Sequence, residues 1–123
     1  MREEKIRVLI VEPHKEAREE YIDNTLEAMQ EIVGGYIEVL TLLYPGEVRS
    51  VLICNEEGKL LNLEENRVVF FSNPWITRDN IRGTFIICGE FEDEFCSLEG
   101  DAFYSARRMC EVNMLPNPIS RVC

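Results

Sequence analysis

The sequence predicts one small α+β domain over residues 1–112: a mostly antiparallel sheet of four to six strands with two helices. A loose tail follows over residues 113–123. Three observations carry this prediction. The chain has 123 residues, 46% hydrophobic and 29% charged, enough apolar material for one packed core. Short β-branched and aromatic runs recur between clusters of Gly, Pro and Asn, as in strands joined by turns. Only two stretches repeat apolar residues at helical spacing.

Lys5 to Glu12 reads as a strand, and its unbroken centre Val8-Leu9-Ile10-Val11 implies burial on both faces. Pro13-His14 ends it. Lys15 to Ile22 is charged and stays open between an edge strand and an exposed helical turn. Asn24-Thr25-Leu26-Glu27 then starts a helix, with Asn24 as the cap and Glu27 as its capping-box partner. Leu26, Met29, Gln30 and Val33 continue the stripe, and Gly34-Gly35 stops it.

Tyr36 to Leu43 is a strand by composition, Tyr44-Pro45-Gly46-Glu47 a turn, and Val48 to Cys54 a returning antiparallel strand. Asn55-Glu56-Glu57-Gly58-Lys59 suits a tight type I reversal into Leu60-Leu61, with Gly58 as the left-handed residue. Asn62 to Arg67 is polar and fits a helical turn. Val68 to Phe71 is a short strand broken by Ser72-Asn73-Pro74, and Gly83 to Gly89 a buried one. Ser97 is placed to cap a second helix carrying Leu98, Ala102, Phe103, Ala106 and Met109, with Gly100 weakening its first turn.

Charge narrows the function. The balance of 13 basic against 23 acidic side chains gives −10. Direct nucleic-acid binding is disfavoured, because phosphate neutralisation needs clustered Lys and Arg. Docking to anionic membranes is disfavoured for the same reason. Residues 90–101 hold six of the acids and no base; without them the chain keeps 17 acids against 13 bases. This stretch reads as a solvated acidic loop or as an interaction surface.

No apolar run approaches the roughly 20 residues of a membrane span, and the start is too short for a signal peptide. The five cysteines are odd in number and lack a CxxC pair, which indicates reduced thiols in the cytoplasm and no disulfide frame. Cys54 and Cys88 read as small buried apolar residues on strands.

Catalytic chemistry finds little support. His14 is the only histidine, and no nucleophile is positioned beside it by sequence. Among the acidic doublets, only Glu56-Glu57 lies in a turn where both carboxylates could face one side. No phosphate loop, calcium loop or zinc spacing occurs, so no catalytic residue, cofactor or metal is expected. The notable positions are two glycine-flanked corners, where loops held by a sheet commonly carry function. Gly34, Gly35 and Tyr36 form one; Asn55, Glu57 and Lys59 form the other, with Asn66 and Arg67 downstream. Glycine lets a ligand approach backbone, Tyr36 can stack on a base, and Asn55 or Asn66 can pair with a base edge. Lys59, Arg67, Arg78 and Arg82 are candidate phosphate anchors. Ordinary turn chemistry would explain the same residues.

A resemblance accompanies these segments. Asn24-Thr25-Leu26, Gln30 to Glu38, Cys54 to Leu60, Asn66-Arg67 and Ile81-Arg82-Gly83-Thr84 resemble the domain-of-unknown-function 3846 family. The match runs from about Lys5 to the start of the Ser97-Leu98 helix, and the Cys-containing tail has no counterpart. The resemblance implies small cytosolic proteins of bacteriophages, plasmids and other mobile elements, acting in the bacterial host cytoplasm without an agreed activity. Two expectations follow. One is a non-enzymatic binding protein that counters host defence by sequestering a small nucleotide-like signalling ligand. The other is an acidic, nucleic-acid-mimicking inhibitor of a host defence nuclease or restriction enzyme. Assembly into a homo-oligomer is compatible with both.

Overall fold

A computed structural model describes residues 3–42, 48–73 and 75–112. The expected turn at Tyr44-Pro45-Gly46-Glu47, the break at Pro74 and the tail 113–123 lie outside the described residues. The first half of the chain runs β1 (Lys5–Val11), β2 (Arg18–Asp23), α1 (Leu26–Val33), β3 (Ile37–Leu42) and β4 (Arg49–Asn55). The second half runs β5 (Glu65–Asn73), β6 (Trp75–Arg82), β7 (Phe85–Phe91), β8 (Glu94–Cys96) and α2 (Gly100–Val112).

All strand pairings are antiparallel, in the order β2-β1-β7-β4-β3-β5-β6, with β8 beside the distal half of β7. Among the described residues the sheet thus has eight strands, more than the four to six expected. The two helices lie on opposite faces of it. Ile6, Val8 and Ile10 of β1 join Met29 and Val33 of α1 in one apolar cluster. Leu9 and Val11 join Phe103, Ala106 and Cys110 of α2 in the other. Alternate residues of one strand point to opposite faces, so its unbroken apolar run feeds both layers.

Several local expectations are corrected. Of the stretch Lys15–Ile22, open by sequence between an edge strand and a helical turn, the part from Arg18 onward is the edge strand β2, whose Arg18–Tyr21 side chains are exposed. Thr25, not Asn24, caps α1: its Oγ1 accepts from Ala28 N at 3.2 Å. Glu27 therefore sits one residue too early for a capping box. Asn24 is buried and donates to the carbonyls of Glu3 and Phe95, both at 3.0 Å. Gly34 ends α1 in the left-handed region at φ 82°, as a helix stop requires.

Gly58 is not a left-handed bulge residue; the positive φ in this loop belongs to Asn62. Leu60-Leu61 lie in a run of turns, and β5 begins only at Glu65, overturning the expected helical turn at 62–67. Strands β6 and β8 were not anticipated. Ser97 does not cap α2 either. Its hydroxyl accepts from Arg7 N at 2.9 Å and donates to the Glu3 carboxylate at 2.7 Å. The acidic stretch 90–101 is no open loop: its residues 90–96 form part of the β7–β8 hairpin, with Glu92 and Asp93 both at positive φ in the turn, and Gly100-Asp101 begin α2.

Candidate functional site

The two glycine corners meet. Ile37 at the start of β3 pairs with Asn55 at the end of β4. Glu56 N donates to Tyr36 O at 2.8 Å, joining the two turns directly. Asn55 fixes the junction with its side chain. Its Nδ2 donates to Val33 O at 3.2 Å, near the end of α1, and its Oδ1 accepts from Glu57 N at 2.8 Å. A Cβ on Gly35 would stand 2.9 Å from Asn55 Nδ2, so glycine here serves close packing. Asn55 is buried, whereas Tyr36 is 67% exposed.

Between the corners lies a shallow cleft of about 220 Å³. Tyr36 and Leu61 form apolar walls, Gly34 and Gly35 give access to backbone, and Gln30 and Glu57 supply polar edges. A larger cleft of about 360 Å³ adjoins it, and Asn55 lines both. Leu40, Phe71 and Ile81 give the larger cleft apolar surface, and Glu38, Glu56 and Asp79 line it with carboxylates. Lys59 closes an ion pair there, its Nζ donating to both Asp79 oxygens at 2.7 and 2.6 Å. A Cβ on Gly58 would come within 3.0 Å of Arg82 O, which accounts for that glycine.

The doublet Glu56-Glu57 is divided between the clefts, Glu56 to the larger and Glu57 to the smaller. The idea that both face one side does not hold. His14 Nε2 stands 2.8 Å from Glu64 Oε1, an exposed pair with no nucleophile bonded to it among the described residues.

Asn66 and Arg67 are not at this site. They are 1% and 0% exposed and are engaged with backbone. Asn66 Nδ2 donates to Val11 O at 2.9 Å and Gly83 O at 2.8 Å, tying the end of β1 to the β6–β7 connection. Arg67 Nε donates to Cys110 O at 2.9 Å, and its Nη atoms reach Glu12 O, Lys15 O and Asn66 Oδ1. The guanidinium thus covers a carbonyl of the last turn of α2, where the helix dipole is negative. Burial pushes its pKa down, with none of these four acceptors a carboxylate. The phosphate anchors expected from sequence are therefore largely committed. Arg67 holds carbonyls, Lys59 holds Asp79, and Arg82 holds Leu63 O at 3.0 Å and Glu65 at 3.4 Å.

Sequence reasoning missed Gln30, Glu38, Leu61 and Asp79 as cleft residues. Glu38 was visible as a lone carboxylate inside a β-branched run. Asp79 was hidden because β6 was not recognised. The thiols of Cys54, Cys88 and Cys110 are buried, and burial pushes Cys54 and Cys110 up to about 12. They are unreactive packing groups, as expected for Cys54 and Cys88. Among the described residues, no group of three or more His, Cys, Asp or Glu is disposed to hold a metal ion. No described helix is long and apolar enough to cross a membrane.

A small antiparallel α+β protein with an open cleft where two turns converge is the class that this geometry defines. The family model for a domain of unknown function, DUF3846, matches residues 6–110, and the chain belongs to that family. No curated protein and no solved structure matches it.

Proposed function

We propose that the protein is a non-enzymatic binding protein whose smaller cleft holds a planar, nucleotide-like ligand. The observation that carries this reading is the exposed Tyr36 ring beside glycine backbone, on a junction made rigid by Asn55. A ring sandwiched between Tyr36 and Leu61 gains stacking and apolar contact, worth about 1–3 kcal/mol for a base on an aromatic side chain. The Glu57 carboxylate and the Gln30 amide are available to ring N–H groups and carbonyls. The commitment of Lys59, Arg67 and Arg82 moves recognition toward the base and away from phosphate. In a mobile-element setting, such a protein counters host defence by holding a signalling molecule out of circulation.

The test is thermal melting of the full chain against nucleobases, nucleosides and cyclic nucleotides, alongside mass spectrometry of heat-released co-purifying molecules. A cognate ligand at about 100 times its Kd stabilises the fold by about 2.7 kcal/mol, and Tyr36→Ala removes the shift. A flat response across the whole panel overturns the reading.

A second reading draws on the β7–β8 hairpin. A groove of about 540 Å³ there is lined by Glu3, Glu92, Glu94 and Glu99, with Phe91 and Phe95 and, among the described residues, no base. In that reading the hairpin imitates a phosphate backbone toward a defence nuclease. Such binding weakens steeply with salt. Neutralising Glu92, Asp93 and Glu94 together would abolish it and leave the Tyr36 cleft untouched.

A further inference from the structure

The larger cleft carries chemistry unlike that of its neighbour. Leu40, Phe71 and Ile81 give it apolar walls, and about 360 Å³ accommodates a phenyl ring with a short chain. Its lining carries three carboxylates, Glu38, Glu56 and Asp79, against two cations, Lys59 and Arg82. Among the described residues, neither Glu38 nor Glu56 forms an ion pair. Asn80 also lines the cleft, and its Oδ1, sealed from solvent, has no hydrogen-bond partner among the described residues. Arg82 is engaged with Leu63 O and Glu65, and the other cation shows how an ammonium seats in the cleft. The Lys59 ammonium grips both oxygens of Asp79, although the lysine side chain is 65% exposed. The protein's own side chain therefore displays how this cleft accommodates an ammonium group.

We propose that this cleft binds a small organic ammonium, with its hydrocarbon part against Leu40, Phe71 and Ile81. The ammonium of the ligand takes the Asp79 carboxylate from Lys59, and Glu38 and Glu56 supply further negative charge. An ammonium has three donors and loses its hydration on entry, so it needs several acceptors to be held. The three carboxylates provide them. An anionic ligand of the same shape meets repulsion from Glu38 and Glu56, while the two cations of the lining, Lys59 and Arg82, are already engaged with Asp79 and with Leu63 O and Glu65. Lys59 acts as an internal competitor, and this sets the proposal apart from a merely structural ion pair. The inference concerns a different cleft from the one at Tyr36 and does not rest on it.

The probe is phenethylamine, with 3-phenylpropionate as the anionic control, titrated calorimetrically into the full chain at low ionic strength. The amine binds and the acid does not. Glu38→Gln and Asp79→Asn each weaken binding by about tenfold, the scale of one charge-assisted hydrogen bond. Lys59→Met tightens binding by about tenfold, because the competing ammonium is gone. Tyr36→Ala leaves the affinity unchanged, which separates this cleft from its neighbour. Glu38 and Lys59 are exposed, so unchanged melting of Glu38→Gln and Lys59→Met verifies the fold even if Asp79→Asn fails to fold. Three results overturn the proposal: no binding to either the natural chain or Lys59→Met, equal binding of 3-phenylpropionate, or no tightening in Lys59→Met.

Discussion

The Asn66–Arg67 corner and the Asn55–Lys59 corner use the same residue types and end up with opposite roles. Each has an asparagine followed closely by a cation, and each asparagine is buried. At Asn66–Arg67 the cation is wholly enclosed and donates to three backbone carbonyls from the β1 end and from α2. At Asn55–Lys59 only the asparagine is locked, while Lys59 stands at the rim of an open cleft. The difference lies in the backbone. The register shifts between Glu65 and Arg67, a bulge that leaves consecutive side chains both inside. Residue type thus says what a corner can bond to, and the path of the strand decides whether solvent or ligand can reach it.

The sharpest way to break this contrast is to remove the enclosed cation. Arg67→Ala leaves the carbonyls of Cys110, Glu12 and Lys15 without this donor in a buried setting. It should cost about 3–5 kcal/mol in urea unfolding, and Arg67→Lys should recover only part because one ammonium cannot span those directions. If Arg67→Ala unfolds near the midpoint of the natural protein, the corner is not a structural lock. Asn66→Ala removes donors to two carbonyls and should cost about 2–3 kcal/mol by the same measurement.

Asn55→Ala tests the open corner. It should cost about 1–3 kcal/mol and, unlike Asn66→Ala, should also abolish any ligand-dependent rise in melting temperature. Alkaline titration probes the core that both corners frame. Thiols of Cys54 and Cys110 stay protonated up to about 12 in the fold but ionise near 9.0 when unfolded. Folding then retains protons that the unfolded chain releases, so their contribution is intact below pH 9 and declines as pH rises toward 12. Cys110→Ala should flatten that decline in melts at pH 8 to 11. Tyr36→Ala has the smallest effect on stability, within about 0.5 kcal/mol for an exposed side chain, while removing stacking from the smaller cleft.

Much of the centre was legible. The apolar run of β1, the glycine stop of α1 and the antiparallel β3–β4 pair all follow from local pattern, and the meeting of Tyr36 with Asn55 follows from that pairing. The β5–β6 hairpin was hidden. Its outer strand reads WITRDNIR, with no alternation of apolar and polar residues, because Trp75, Ile76 and Arg78 are exposed and Ile81 alone reaches the core. Ser97 and Asn24 misled as helix caps because each instead satisfies groups distant in sequence, on β1, on β8 and near Glu3.

What the chain determined by itself is local: where strands run, where glycine must end a helix, and that the charge is strongly negative. Period, propensity and composition act over a few residues, so they are readable without a fold. Tertiary structure decided which polar side chains were enclosed and which were left open, since burial depends on partners 40 to 90 residues away. A strand bulge and a packed helix end turned Arg67 inward, and the absence of such a cover left Tyr36 in solvent.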